Sequence, residues 1–205
     1  LEQSLSDRLR VLGPDHPDVL ITRNNLANAY RSAGRLERSI RLLEQNLTDH
    51  ERILGPDHPR TLISRNNLAG SYREADRLDE AIDLYERDLA DGLRILSPDH
   101  PYIFNSRNNL AGTYYVAGRL DEAIPLFERT LADRGRVLGP DHPDVLVTRN
   151  NLALAYHAAG RLEQAIDLLE QSLSDRLRVL GPDHPDILGA RNNLASAYKS
   201  AGRLD

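Results

Sequence analysis

Apolar residues recur every three or four positions along most of the chain, a spacing that is typical of helices with one buried face. Between residues 36 and 54, the apolar positions that share one face are Leu36, Ile40, Leu43, Leu47 and Leu54. Between residues 17 and 33, a second apolar face is made of Val19, Leu26, Ala27, Tyr30 and Ala33. The pattern predicts a pair of amphipathic helices, named here helix A (17–33) and helix B (36–54).

Proline and glycine mark the limits of both helices. Pro17 suits the first position of helix A, because the N–H groups of a first turn have no intrahelical partners. Gly34 suits the left-handed residue that follows a helix, and Gly55 with Pro56 ends helix B. In the next copy of the pattern Asp76 takes the place of Gly34, and aspartate adopts the left-handed conformation less readily.

The same helix pair recurs with a period of 42 residues. Pro-Asp-His-Pro begins at residues 14, 56, 98, 140 and 182, and Arg-Asn-Asn-Leu-Ala begins at residues 23, 65, 107, 149 and 191. A constant period of about 20 to 50 residues indicates a solenoid of stacked units. We predict an all-α fold, a right-handed α-solenoid of stacked antiparallel helix pairs that forms a single array over residues 1–205. Its parts are a partial helix B at 1–12, full units at 13–54, 55–96, 97–138 and 139–180, and a partial unit with helix A only at 181–205.

The Pro-Asp-His-Pro segments contain residue types that bind metals, so a metal site is one interpretation of them. Their histidines are His16, His58, His100, His142 and His184. Equivalent residues of stacked helices lie roughly 10 Å apart, whereas zinc lies ~2 Å from its ligands. We therefore interpret the segment as a helix boundary in which the aspartate or the histidine caps helix A. The sequence also lacks HExxH, Walker, GxSxG and GxGxxG motifs, so we predict no catalytic residue, no metal ligand and no cofactor.

Composition limits the cellular setting and the class of partner. The chain has 205 residues, a net charge of -5 and no cysteine, and it begins at Leu1 without a signal-like segment. The negative charge argues against a general nucleic-acid binder, and the lack of cysteine fits a reducing compartment. No apolar run approaches the ~20 residues that a membrane helix needs. We expect a fragment of a longer cytoplasmic protein that has no membrane contact and for which a nucleic-acid partner is disfavoured.

The residues around the end of helix A resemble a known family. The tetratricopeptide repeat has the signature Asn-Leu-Gly-x-x-Tyr, a turn glycine and Ala-Ile, and its counterparts in the first unit are Asn25, Leu26, Ala27, Tyr30, Gly34, Ser39 and Ile40. The resemblance covers the whole chain, and the long period is closer to the kinesin-light-chain-like variety. It implies a non-enzymatic scaffold that binds peptides or partner proteins in a concave groove lined by helix A. The chain departs from the family at Arg23, where tryptophan is usual, and in the length of helix B.

Two adjacent asparagines occur in every copy of helix A. The resemblance implies that the asparagine before leucine contacts a ligand backbone, and this set is Asn25, Asn67, Asn109, Asn151 and Asn193. The second set is Asn24, Asn66, Asn108, Asn150 and Asn192. An amide both donates and accepts hydrogen bonds, so a ladder of amides would hold an extended peptide without reading its sequence. The alternative is that these side chains bond within the solenoid and tie one repeat to the next.

Specificity is expected where the copies of helix A differ from one another. The residues at position 31 and its equivalents are Arg31, Arg73, Tyr115, His157 and Lys199, and positions 28 and 32 vary as well. They lie on the side of helix A that carries the asparagines, away from the apolar face. This set predicts a peptide-binding groove with basic ends and an apolar, aromatic middle, suited to a peptide with acidic flanks around an apolar residue. Neutral variation on a solvated face is the alternative.

Arg23 falls within the apolar face of helix A and is arginine in every copy. A buried guanidinium group needs a partner. The candidates are Asp49 with its equivalents, or Asp15 with its equivalents. We predict a structural arginine–aspartate ladder, and binding of a ligand phosphate or carboxylate is the alternative.

The leading hypothesis is a scaffold for a protein or an extended peptide ligand. Self-association is the first alternative, because the chain starts within a helix B and stops where the next one would begin. Uncapped ends of a solenoid expose apolar faces, and head-to-tail contacts between them would continue the solenoid from molecule to molecule. A helical-repeat nucleic-acid binder is a minor alternative, and an enzyme is the least supported class.

Overall fold

The computed structural model describes residues 1–203, so Leu204 and Asp205 of the predicted partial unit 181–205 lie outside the described residues. The chain divides into two compact units, Leu1–Ser106 and Arg107–Asp205. Regular secondary structure is entirely helical across residues 1–203, which confirms the predicted all-α class. The helices are α1 (Glu2–Leu12), α2 (Pro17–Ser32), α3 (Leu36–Leu54), α4 (Pro59–Glu74), α5 (Leu78–Ile95), α6 (Pro101–Val116), α7 (Leu120–Leu138), α8 (Pro143–Ala158), α9 (Leu162–Leu180) and α10 (Pro185–Ser200).

The helices alternate as the hydrophobic pattern predicts. Helices α2, α4, α6, α8 and α10 are copies of helix A, and α1, α3, α5, α7 and α9 are copies of helix B. In the first unit, α2 packs against α1 and α3, and α4 packs against α3 and α5. In the second unit, α8 packs against α7 and α9, and α10 packs against α9. Successive helices therefore stack in chain order within each unit, as in a helical repeat array.

Histidine caps the start of every helix A. The Nδ1 atom of His16 accepts a hydrogen bond from the backbone N–H of Asp18 at 3.2 Å, and His58 accepts one from the N–H of Arg60 at 3.1 Å. The same bond occurs at His100, His142 and His184. Each bond satisfies one of the N–H groups that the first turn leaves unpaired. The interpretation of Pro-Asp-His-Pro as a helix boundary is thereby confirmed, with the histidine as the capping residue.

Helix A ends at a residue in the left-handed conformation. Gly34 has φ 69°, and the backbone N–H that follows it, on Arg35, donates to the carbonyl of Tyr30 at 2.8 Å. Asp76 has φ 60° at the equivalent place in the next repeat and is the one non-glycine residue with positive φ in the described part of the chain. The prediction for Asp76 is confirmed, and its side chain bears the steric cost that glycine avoids.

Two of the hydrophobic cores lie between a helix B and the helices A on either side of it. The buried core residues in the first unit include Ala27, Ile40, Leu43, Leu47, Leu68, Tyr72 and Ala81. The corresponding residues in the second unit include Ala153, Ile166, Leu169 and Ala197. Truncation of a leucine in such a core costs about 2–5 kcal/mol, so this packing is the main force that holds the repeats together.

The predicted apolar face of helix A is buried, with one exception. Val19, Leu26 and Ala27 are buried and Tyr30 is half-buried, whereas Ala33 is exposed. The expectation for Ala33 is wrong because α2 ends at Ser32. Ala33 is the C-cap residue and lies beyond the last turn that faces the core.

Candidate functional site

An arginine–aspartate pair joins helix A to helix B within a repeat. Arg23 Nη1 lies 2.6 Å from Asp49 Oδ2, and the guanidinium group is buried. The equivalent pairs are Arg65 with Asp91 at 2.7 Å, Arg107 with Asp133 at 2.8 Å, and Arg149 with Asp175. The predicted structural ladder is confirmed, and the set that contains Asp49 supplies its carboxylates. These four arginines are therefore paired with carboxylates inside the fold.

The Asp15 set has a different arginine partner. Asp15, in the Pro-Asp-His-Pro segment, pairs with Arg52 of helix B, and Arg52 Nη2 also lies 3.1 Å from Asp49 Oδ1. The hydrogen bond from Arg52 lowers the pKa of Asp15. The equivalent pairs are Arg94 with Asp57 and Arg178 with Asp141. Arg52 thus links the segment before helix A to the carboxylate that holds Arg23, and all four charges belong to one structural network.

The asparagines of neighbouring helices A contact one another. Asn67 Nδ2 of α4 donates to Asn24 Oδ1 of α2 at 3.1 Å in the first unit. In the second unit, Asn193 Nδ2 of α10 donates to Asn150 Oδ1 of α8 at 2.9 Å. An asparagine amide has two N–H donors and a carbonyl, so one bond uses only part of its capacity. Members of the two predicted asparagine sets therefore form amide pairs between neighbouring repeats.

The remaining asparagines of the two sets differ in exposure and in partner. Asn25 and Asn192 are exposed, while the other members are half-buried. Asn66 Nδ2 donates to Asp88 Oδ2 at 3.4 Å, and Asn108 Oδ1 accepts from Thr148 Oγ1 at 3.5 Å. Asn109 and Asn151 are half-buried as well, and Asn109 is engaged in an interaction.

The variable positions 31 and 32 meet across neighbouring repeats. Arg31 Nε lies 3.7 Å from Glu74 Oε1, and His157 Nε2 lies 2.9 Å from Ser200 Oγ. Part of the variation at these positions therefore reflects how one repeat fits the next. Glu74 lies beside Arg31 and offsets its positive charge at this part of the surface. The other members of the set are Arg73 and Tyr115, which are half-buried, and Lys199, which is exposed.

Position 21 of helix A is a surface position that sequence reasoning missed. Ile21 is 47% exposed and Ile63 is 50% exposed, although both are large and apolar. This position precedes Asn24 by three residues, so it shares a helix face with positions 24, 28 and 31. The signal was present in the sequence, because position 21 varies among the copies as Ile21, Ile63, Asn105, Val147 and Gly189. We call the surface formed by positions 21, 24, 25, 28, 31 and 32 the helix A face.

A cavity of about 200 Å³ opens on the helix A face between α2, α3 and α4. Leu20, Ile21 and Ile63 form its apolar wall, and Asn24, Asn46 and Arg60 contribute polar groups. His50 and Ser64 also line it, and His50 Nδ1 lies 2.8 Å from Ser64 Oγ. Burial lowers the pKa of His50.

No cluster of three or more histidine, aspartate or glutamate side chains in residues 1–203 has the geometry to hold a metal ion. No helix in that part of the chain is both long and apolar enough to cross a membrane.

Comparison with known proteins places this geometry among helical repeats. A family model of the tetratricopeptide repeat matches residues 1–48, 21–90 and 102–177. The nearly identical TPR-like repeats of a Podosopora anserina protein described as a kinesin light chain have 32% sequence identity and a TM-score of 0.83, over 92% of this chain and 89% of that chain. No curated protein matches the sequence.

Two more distant structures share the fold. BtubC from P. vanneervenii has 20% identity and a TM-score of 0.82, over 98% of this chain and 82% of that chain. MamA from AMB-1 has 23% identity and a TM-score of 0.59, over 88% of each chain. At these identities the similarity concerns the fold alone.

Proposed function

Because the chain belongs to the tetratricopeptide repeat family, we propose that it is a non-enzymatic scaffold that binds an extended segment of a partner protein on its helix A face. Proteins of this family are generally non-catalytic scaffolds. Within each unit, the helix A face combines exposed apolar side chains with amides, which are the groups that an extended peptide needs.

The observation that carries this proposal is the surface around Ile21 and Ile63. Both side chains are about half exposed, and the amide pair Asn24–Asn67 lies on the same face. Isolated exposed apolar residues are ordinary, but a pair that flanks a cavity beside polar groups is typical of a binding surface. Apolar side chains of a ligand would pack against the isoleucines, and its backbone would bond to the amides.

The predicted site residues have distinct roles in this proposal. The asparagines hold the peptide backbone, and position 31 selects among side chains. In the second unit Tyr115 and His157 supply an aromatic surface, while Lys199 supplies a positive charge. Arg31 and Arg73 act in the first unit, where Glu74 offsets the charge of Arg31.

The test is selection from a peptide library followed by calorimetry on the strongest binder. Ile63→Ser should weaken that binder about tenfold, which corresponds to ~1.4 kcal/mol of lost apolar contact. Val11→Ser is the matched control, because Val11 is also an apolar β-branched residue and is 67% exposed but lies on a helix B. Equal effects of the two substitutions, or a library that yields no binder, would refute the proposal.

Further sequence-based expectations stay proposals alongside this one. Three of them are the repeat boundaries, a cytoplasmic location and the absence of a nucleic-acid partner. The fourth is self-association through the ends of the array. Sedimentation velocity over a range of concentrations tests self-association, which predicts a sedimentation coefficient that rises with concentration. A filter-binding assay with RNA tests the minor alternative, since nucleic-acid binding is strongly salt-dependent.

A further inference from the structure

The cavity on the helix A face contains a buried amide that lacks a partner. Asn46 of α3 is 1% exposed, and neither its Nδ2 nor its Oδ1 atom makes a hydrogen bond within the described structure. A buried polar group without a partner costs about 1–3 kcal/mol. Because Asn46 lines the cavity, a group that binds there and displaces the side chains covering this amide would bond to it and recover that energy.

The next repeat shows how the chain satisfies the same position by itself. Asp88 is the equivalent of Asn46 and is fully buried. Its carboxylate accepts hydrogen bonds from the hydroxyl of Tyr102, from Ser106 Oγ at 2.7 Å and from Asn66 Nδ2 at 3.4 Å. The chain's own side chains therefore provide three partners for the buried polar group in that repeat.

The repeat that contains Asn46 lacks these internal partners. Tyr102 is replaced by Arg60, whose side chain is exposed at the rim of the cavity. The equivalent of Ser106 is Ser64, but the hydroxyl of Ser64 is already bonded to His50. The space next to Asn46 is consequently open to a group supplied from outside.

The chemistry of Asn46 selects that group. Its amide offers a donor and an acceptor side by side, and the complement is an acceptor beside a donor, as in another carboxamide. A carboxylate would bond to the N–H but leave the carbonyl of Asn46 unpaired. Arg60 would attract a carboxylate, yet an exposed ion pair contributes only about 0–1 kcal/mol, less than the cost of an unpaired buried carbonyl.

We propose that this cavity binds the side-chain carboxamide of a glutamine or asparagine in an extended partner segment. The apolar wall of Leu20, Ile21 and Ile63 packs against the aliphatic part of that side chain, and Asn46 pairs with its amide. The inference rests on the proposed function, since the helix A face has to bind an extended peptide for the side chain to enter.

Nuclear magnetic resonance on the whole chain tests the proposal, with acetyl-Ala-Ala-Gln-Ala-Ala-amide as the probe. The same peptide with glutamate or methionine in place of glutamine provides probes of similar size. The glutamine peptide should shift the side-chain N–H₂ signals of Asn46 and bind at least about tenfold more tightly than the other two peptides. Binding that is absent, or equal for the three peptides, would overturn the proposal.

Variants at Asn46 complete the test. Asn46→Leu should abolish the preference for glutamine, and Asn46→Asp, which introduces the residue found at position 88, should reduce it because a carboxylate only accepts. Gln45→Leu is the matched control, since Gln45 is an exposed amide on the same helix that does not line this cavity. Circular dichroism checks that each variant is folded.

The outcome is separable from that of the proposed function. If library selection yields peptides that depend on Ile63 but the glutamine preference is absent, the helix A face binds peptides and only the assignment of the cavity is wrong. If library selection yields nothing, the proposed function itself fails.

Discussion

Replacement of Arg107 by alanine removes the more deeply buried half of an ion pair that joins helix A to helix B. Arg107 Nη1 lies 2.8 Å from Asp133 Oδ2, and the side chains are 2% and 24% exposed, respectively. Asp133 also lies 3.8 Å from Arg129 and 3.6 Å from Arg136. The aspartate that remains is therefore partly hydrated and still close to positive charge, so the cost is dominated by the contacts of Arg107 itself.

The magnitude follows from those contacts. Alanine lacks two methylene groups of the arginine stem, and each contributes about 0.8 kcal/mol when buried. A hydrogen bond to a charged group contributes about 1.5–3 kcal/mol. We therefore expect Arg107→Ala to lower the free energy of unfolding by about 3–4.5 kcal/mol. Asp133→Ala leaves a guanidinium group almost without access to water, and loss of one member of a buried pair costs about 3–5 kcal/mol, so it should be at least as destabilising.

Urea unfolding followed by far-ultraviolet circular dichroism measures both effects. Arg129→Ala is the matched control, because Arg129 lies near the same aspartate but its side chain is 65% exposed. Its loss should stay within about 0.5 kcal/mol. The double variant Arg107→Ala with Asp133→Ala should lose less than the two single variants combined, because the unpaired buried charge disappears with its partner.

Two results would refute this reasoning. A loss below about 0.5 kcal/mol for Arg107→Ala would mean that the buried pair contributes no more than a surface contact. A loss for Arg107→Ala well above that for Asp133→Ala would mean that the isolated carboxylate, and not the isolated guanidinium, carries the cost.

Three other predictions follow from the structure. Asp76→Gly should raise the free energy of unfolding by about 0.5–1 kcal/mol, because Asp76 has a φ of 60°. Gly34→Asp should lower it to a similar extent. Thermal unfolding measures both changes, and changes of the opposite sign would contradict the argument from backbone strain. Burial lowers the pKa of His50 below its usual 6.5, so the unfolded chain binds more protons at this site than the folded chain. The stability that is present above about pH 6.5 should therefore decline as the pH falls. The unfolding midpoint of His50→Gln should decline less, and a pH profile identical to that of the unchanged chain would contradict this prediction. Asn67→Ala removes the hydrogen bond to Asn24 and should lower the free energy of unfolding by about 1 kcal/mol. It should also weaken the binding of a selected peptide about tenfold. Unchanged affinity in calorimetry would mean that the amide pair has a structural role alone.

The sequence by itself determined the elements and their order, because the signals for these are local. Pro17 and Gly34 act on the backbone at their own positions, and the capping bond of His16 spans two residues. The period of the repeat then implied stacking, since a unit of this kind buries its apolar face only against a neighbour. The error at Ala33 is also local. The pattern extended helix A to Ala33, whereas the helix ends at Ser32, and this difference of one residue turns the side chain of Ala33 away from the core.

Arg23 marks the limit of what local signals decide. Its position in an apolar face required a buried partner, and two sets of aspartates were equally consistent with the sequence. Only the packing of helix A against helix B brings Asp49 to the guanidinium group, while Asp15 pairs with Arg52. The choice depends on distances between residues that are far apart along the chain.

The helix A face depends still more on tertiary structure. The Asn24–Asn67 pair and the cavity at Asn46 arise where three helices of two repeats meet. Near-identical repeats therefore differ in ways that no single repeat reveals. Side chains of the following helix bond to the buried carboxylate of Asp88, whereas those of the helix that follows Asn46 leave its amide without a hydrogen bond. The sequence specified a surface of amides and variable positions, and packing between repeats decided which of its groups are bonded within the fold.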